Sequence, residues 1–126
     1  MAARLKPIDP DGVARGRRAV PGDSLLAVVV ETFDALADPT RARLLYALRK
    51  RSLCVRDLAA VAGVSESAIS HQLRFLKDRR LVKSRRQGNV MTYSIDDHHL
   101  GALFREAEFH ADHVRHNRPD HPLPRT

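Results

Sequence analysis

The stretch that most constrains the fold is "VRDLAAVAGVSESAISHQLRFLKDRRLV", residues 55–82. A short helical pattern breaks at Gly63, and a longer one begins just after Ser65, a residue type that favours the N-cap position of helices. Two amphipathic helices joined by so short a break are typical of a helix-turn-helix. We therefore expect the chain to fold around this motif.

The second helix of this motif has two chemically different faces. At about 100° per residue, Ile69, Leu73 and Leu76 share one side. The other side carries hydroxyl, imidazole and guanidinium groups, which can donate to base edges and phosphates. A solvated face is the alternative, but these side chains suit DNA better than solvent alone. The predicted DNA contacts on this helix are Ser65, Ser67, Ser70, His71, Gln72, Arg74 and Lys77.

A β-hairpin is predicted directly after this helix. In "LVKSRRQGNVMTYSI", residues 81–95, "QGN" has the composition of a turn, and Met91, Tyr93 and Ile95 alternate with polar residues. A helix-turn-helix followed by a hairpin is a winged helix, whose wing tip lies near the DNA backbone or minor groove. The predicted fold class is therefore mainly α with a β-hairpin wing.

Positive charge concentrates on the same region. Between Arg74 and Arg86 there are seven basic residues and one acidic residue. Such a run is usually a solvated face, but here it surrounds the predicted motif and the hairpin tip. We expect Arg85 and Arg86 to hold the phosphate backbone without reading sequence. The better candidates for sequence readout are Ser67, His71 and Gln72.

Composition agrees with a polyanionic partner. The chain has 126 residues, a formal charge of +7 and a pI near 10.5, which favours nucleic acid over an anionic membrane surface. This length suits one small domain, to which oligomerisation would add buried surface.

The longest apolar run, residues 25–30, is too short to span a membrane. A single cysteine, Cys54, excludes an intrachain disulfide and fits a cytoplasmic protein.

Three segments are predicted along the chain: a flexible basic arm over residues 1–22, a winged helix-turn-helix domain over residues 23–116, and a flexible tail over residues 117–126. The arm combines three prolines, three glycines and five basic residues without a period. A helix capped by Asp23 or Ser24 should follow it and be buried on more than one side, with a strand as the alternative.

Five of the seven histidines lie in "DDHHLGALFREAEFHADHVRH", residues 96–116, which is predicted to be a helix from about Asp97. His110 and His113 lie within about 40° of His99 around the helix axis. Eleven residues separate His99 from His110, which is roughly 16 Å along a helix. The face beside them is apolar and consists of Leu100, Leu103, Phe104, Ala107, Ala111 and Val114.

No single ion spans that distance, because zinc binds nitrogen at about 2.0–2.1 Å. Asp97 with His99, and His110 with His113, therefore form two half-sites in each chain. Two antiparallel copies would complete two symmetric sites, each with three imidazoles and one carboxylate, a set that suits zinc, with cobalt as a mimic. The ordinary alternative is a solvated histidine, which is what we expect for His98, His116 and, further along the chain, His121.

Taken together, "LADPTRARLLYAL", "LCVRDLA", "VSESAISHQLRFLKD" and "DDHHLGALFREAEFHADH" resemble the ArsR/SmtB family of metal-responsive winged-helix repressors, over roughly residues 24–116. The resemblance implies a homodimer formed through the N- and C-terminal helices. It also implies that the metal-free dimer binds operator double-stranded DNA and releases it on binding metal, which derepresses efflux or sequestration genes.

The resemblance also distinguishes sensor classes. One class uses an Asp-x-His and a His-x-x-His pair on the C-terminal helix, and another uses a Cys-x-Cys pair, where this chain has Cys54 followed by Arg56. Nickel and cobalt sensors add ligands from the N-terminus or the tail. Residues 1–22 contain no histidine, whereas His116 and His121 leave a tail version open. The first class is matched at all four positions, by Asp97, His99, His110 and His113.

The predicted function is therefore a zinc-sensing repressor. The alternatives are a nickel or cobalt sensor that uses tail histidines, and a winged-helix repressor that responds to a non-metal signal. A metallohydrolase would need an open coordination position and a base in a cleft, neither of which this ligand set offers. The chain is not expected to be an enzyme, to bind a membrane or to take a small organic substrate.

Overall fold

The structure is a computed structural model and describes residues 5–117. This part of the chain divides after Leu36 into two compact units, which are described separately below. The elements of this part of the chain are α1 (Pro10–Ala19), α2 (Asp23–Leu36), α3 (Pro39–Leu48), β1 (Leu53–Cys54), α4 (Val55–Ala62), α5 (Glu66–Asp78), β2 (Val82–Gln87), β3 (Val90–Ile95) and α6 (His99–His116).

In the first unit, α1 lies inside the segment predicted to be a flexible arm, where no helix was predicted. Asp9 caps the helix, since its Oδ1 accepts a hydrogen bond from the Gly12 N–H at 3.0 Å. Pro10 occupies the first turn, where a proline is tolerated because its missing N–H would have no helical partner. Arg17 and Arg18 complement the dipole at the other end. A proline directly after a capping aspartate therefore marks the start of a helix.

The second helix of this unit, α2, forms where a helix was predicted, so the strand alternative is wrong. Its predicted burial on more than one side is not found within one chain: Ala35 is buried, whereas Phe33 is 57% exposed. The valines and leucines of its preceding turns are also exposed. Such a continuous apolar surface is typical of an interaction site.

In the second unit, three helices form the core of the winged helix. Asp38 caps α3 by accepting the Arg41 N–H at 2.9 Å, and Pro39 is in its first turn, as predicted. The inner faces of α3, α4 and α5 bury leucine and isoleucine side chains almost completely, which provides most of the hydrophobic stabilisation. The fully buried large side chains are Leu44, Leu45, Leu58, Ile69, Leu73, Leu76 and Val82.

The wing is a three-stranded antiparallel sheet in the order β1-β3-β2. Its register pairs Val82 with Ile95 and Gln87 with Val90, which leaves a two-residue turn at Gly88 and Asn89. Gly88 has a φ of +64°, as tight hairpin turns require at the first position. The predicted winged helix, mainly α with a hairpin wing, is confirmed.

The last helix, α6, begins at His99, two residues later than predicted. Leu100 and Phe104 are buried, but Val114 is 61% exposed, so one chain covers only the first half of the predicted apolar face. Asn117, in the left-handed conformation, ends the helix. The rest of the predicted tail, including His121, lies outside the described residues. Among residues 5–117, no helix combines the length and apolar character of a membrane span.

Candidate DNA interface and metal centre

The start of α5 is fixed by two local features. Gly63 ends α4 in the left-handed conformation with a φ of +70°, and its N–H donates to the Ala59 carbonyl at 2.8 Å. Ser65 then caps α5, since its Oγ accepts the Ala68 N–H at 3.1 Å. Both contacts lie in the turn between the helices, so they set the direction in which α5 leaves the motif.

The outward face of α5 carries most of the side chains predicted to contact DNA. Gln72 differs from the others: it is half-buried, and its Oε1 accepts a hydrogen bond from Arg41 Nη1 at 3.5 Å. This contact with α3 is long for a hydrogen bond and involves only the amide oxygen, so Gln72 as a base reader stays a prediction. The exposed members of the predicted set are Ser65, Ser67, Ser70, His71, Arg74 and Lys77.

The wing presents two exposed arginines, Arg85 and Arg86, on β2. Neighbouring residues of a strand point to opposite faces, so their guanidinium groups leave opposite sides of the hairpin. A direct contact ties this strand to α5, because Lys77 Nζ donates to Ser84 Oγ at 2.7 Å. The helix and the wing are therefore braced to each other on the positively charged side.

The first predicted half-site for metal lies where β3 leads into α6. The Asp97 carboxylate accepts hydrogen bonds from the His99 backbone N–H at 2.8 Å and from His99 Nδ1 at 2.6 Å. Both hydrogen bonds lower the pKa of Asp97 below its ordinary value, and the bond from the backbone N–H has the larger effect. The structure thus brings Asp97 and His99 together as an ionised carboxylate and an oriented imidazole.

Next to this pair, the structure places a side chain that the sequence interpretation treated as a bystander. His98 offers a ring nitrogen within 4.8 Å of the ligand atoms of both Asp97 and His99, and its ring centroid lies 4.2 Å from that of His99. Three consecutive donor residues at a helix start are the signal that could have identified it.

The second predicted half-site lies further along α6. The ring centroids of His110 and His113 are 6.4 Å apart, as expected for side chains three residues apart on a helix. His113 Nδ1 is shielded from solvent and has no hydrogen-bond partner among the described residues. A buried nitrogen without a partner is costly in a structural histidine. No hydrogen bond within the described residues therefore holds this nitrogen in place.

His116, at the end of α6, already has a partner. Its Nδ1 lies 2.8 Å from Asp112 Oδ1 and 3.2 Å from the Asp112 carbonyl oxygen. A carboxylate that accepts from Nδ1 leaves Nε2 free as an acceptor or ligand. His116 is therefore an oriented imidazole, unlike the freely solvated side chain that the sequence suggested.

Helix α6, which carries the predicted metal ligands, is linked to the helix-turn-helix core through one polar and aromatic cluster. Tyr46 of α3 donates from its hydroxyl to Glu108 Oε2 of α6 at 2.8 Å, and its ring centroid lies 4.6 Å from that of Phe104. Arg49 lies 3.7 Å from the same Glu108 oxygen. Burial raises the pKa of Tyr46, and the hydrogen bond to Glu108 raises it further by a smaller amount. Sequence analysis missed this link, because 62 residues separate its two hydrogen-bonded partners.

Comparison with known proteins identifies the family of the chain. The sequence pattern of the family described as "Bacterial regulatory protein, arsR family" matches residues 38–84, from the cap of α3 to the middle of β2. The regulator NmtR of Mycobacterium tuberculosis is 43% identical over 101 residues, which cover 79% of this chain and 84% of NmtR. The chain belongs to the ArsR family of bacterial regulatory proteins.

Other members of the ArsR family extend the comparison. A transcriptional repressor SmtB homolog of Synechocystis is 54% identical over 87 residues, covering 69% of this chain and 64% of that protein. The solution structure of apo-NmtR has a TM-score of 0.63 and 37% identity, covering 97% of this chain and 95% of that chain.

The fold also matches a homodimeric winged helix-turn-helix DNA-binding domain from Mycobacterium bovis, a possible ArsR-family transcriptional regulator. The TM-score is 0.70 at 28% identity, over 82% of this chain and 99% of that domain. NmtR and the SmtB homolog are named as regulators of transcription, and this chain shares their family and the winged-helix DNA-binding fold, so it is a transcriptional regulator and not an enzyme.

Proposed function

We propose that this ArsR-family protein is a metal-sensing transcriptional repressor. It binds operator DNA as a homodimer in the metal-free state and releases it when zinc binds between the two copies of α6. The observation that best supports this proposal is the arrangement of side chains on α6. Asp97 and His99 are hydrogen-bonded to each other at one end, and at the other end His113 Nδ1, beside His110, has no hydrogen-bond partner among the described residues. The sequence separation of these pairs places them too far apart to share an ion within one chain.

The donor set fits zinc. In the proposed dimer, Asp97 and His99 of one chain meet His110 and His113 of the other, which gives three nitrogens and one oxygen in a closed, roughly tetrahedral set. When bound, zinc would supply bonds that join the two chains. The partnerless Nδ1 of His113 supports this fit, since coordination would satisfy an atom for which the folded chain has no other use.

The rest of the chain explains how metal binding could alter DNA binding. The Tyr46–Glu108 hydrogen bond and the packing of Phe104 against Tyr46 fix α6 to α3, which belongs to the same core as α5. A change in the angle between the two α6 helices would therefore move the two recognition helices relative to each other. Because such coupling is reciprocal, operator DNA must weaken metal binding by the same factor.

A second candidate is a nickel or cobalt sensor with more than four ligands. The observation that favours it is His116, whose ring Asp112 orients so that Nε2 remains available. In this proposal His116, at the end of α6, adds to the four residues named above. The two candidates share the repressor function and differ in the cognate metal.

The test is an operator-binding titration of the full-length protein with zinc, nickel and cobalt. We expect zinc to lower operator affinity, and a His99→Ala variant to bind DNA normally but to ignore zinc. A His116→Ala variant separates the candidates, because it should leave the zinc response intact and should lose the nickel or cobalt response only if His116 contributes a ligand. Wild-type protein whose operator affinity is the same with and without each metal would refute the proposal.

A further inference from the structure

We propose that Asp97, His98 and His99 form an open metal-capture site within a single chain, with His98 as a ligand that the four-residue interchain site does not use. The inference rests on the proposed metal-sensing function and deepens it, because it concerns how an ion enters that site. The three residues are consecutive and exposed, at the point where α6 begins.

The geometry of the cluster is the main argument. One ligand atom from each of the three residues lies within 4.8 Å of the other two. Donors around a tetrahedral zinc ion, with bonds of about 2.0–2.1 Å, lie about 3.3 Å apart. Closing the cluster on an ion thus needs movements of roughly 1.5 Å or less. Exposed side chains make such movements by small rotations about χ1 and χ2, without any change in the helix.

The hydrogen bond inside the cluster joins two of the donor atoms that an ion would bind. His99 Nδ1 and Asp97 Oδ1 lie 2.6 Å apart. Coordination through both atoms requires the neutral tautomer of His99 with its proton on Nε2 and its lone pair on Nδ1. The ion then lies between Nδ1 and Oδ1 in place of this hydrogen bond.

The three residues of one chain would not complete the coordination of the ion. Three protein donors leave at least one coordination place to water, as in zinc sites that exchange ligands. His110 and His113 of the second copy can then replace water and His98, which converts a weak intrachain complex into the closed interchain one. His98 is thus a ligand only in the weak intrachain complex through which the ion enters. It is not a ligand in the closed interchain site.

The experiment removes the interchain half of the site and measures what remains. In a full-length His110→Ala/His113→Ala variant, free of DNA, cobalt titration followed by absorption should still show about one weak ion per chain. Adding His98→Ala should weaken this residual binding at least tenfold. His98→Asp, which restores a donor, should recover most of it.

Asp96→Asn is the matched control, since Asp96 is an exposed carboxylate beside the cluster and outside it. It should change residual binding by less than threefold. The inference is overturned if His98→Ala leaves the residual binding unchanged, or if Asp96→Asn weakens it as much, which would indicate a general charge effect. The outcome is separate from the proposed function, which is tested by operator release from the wild-type chain.

Discussion

Arg85 and Arg86 carry two of the positive charges on the wing, and both side chains are exposed on opposite faces of the hairpin. Because phosphate contacts add affinity without reading sequence, an Arg85→Ala/Arg86→Ala variant should bind all DNA sequences more weakly. If both contact phosphates in each chain of the dimer, four contacts are lost, and the slope of log K against log salt should become shallower by about 3.6. Fluorescence anisotropy at several salt concentrations, on operator and random duplexes, measures both effects.

The control for this prediction is Lys50→Ala/Arg51→Ala, which removes the same charge from an exposed pair in the turn between α3 and β1. We expect it to change the salt dependence much less. Equal slopes for the two double variants would show that net charge, and not the position of the wing arginines, determines affinity.

At the scale of single residues, sequence and structure agree best where the side chain acts locally. Asp38 was predicted to cap a helix and does so, because capping depends only on residues within one turn. Gln72 was predicted to face DNA but accepts a hydrogen bond from Arg41, 31 residues earlier in the chain. Helical spacing cannot give such a partner, since it depends on how α3 and α5 pack.

At the scale of elements, α5 depends on the cap at Ser65. Ser65→Ala removes the hydrogen bond to the Ala68 N–H and should lower the free energy of unfolding by about 1 kcal/mol. Ser67→Ala, an exposed position inside the same helix, should leave stability unchanged or slightly higher, because alanine has the better helix propensity. Urea unfolding at one protein concentration compares them. A loss of stability in both variants, or in neither, would contradict the assigned cap.

The elements also show where sequence patterns mislead. The hairpin was predicted correctly because its turn residues and its alternation are both local. Helix α1 was missed because its prolines and glycines were counted as breakers, although Pro10 stands at the one position where proline favours a helix. The start of α6 was placed two residues early, since Asp97 precedes the helix and accepts from its first N–H.

At the scale of the whole molecule, the exposed apolar surface of α2 requires a partner, and the proposed partner is a second copy of the chain. Phe33→Asp places a charge on that surface, 57% exposed in the single chain, and should shift the protein from dimer to monomer. Sedimentation equilibrium measures the shift. Ser24→Asp adds the same charge at the start of the same helix and should leave the dimer intact. A dimer of wild-type affinity in Phe33→Asp would exclude this surface from the interface.

The interchain site is the central claim, and mixing two inactive variants tests it most directly. His99→Ala and His110→Ala homodimers each lack a ligand in both proposed sites, so neither should bind zinc tightly. After the two are unfolded together and refolded, a heterodimer has one complete site, and random pairing should restore roughly a quarter of the wild-type number of tight sites. Tight zinc binding that stays absent from the mixture, or that is already present in either variant alone, would contradict a site shared between chains.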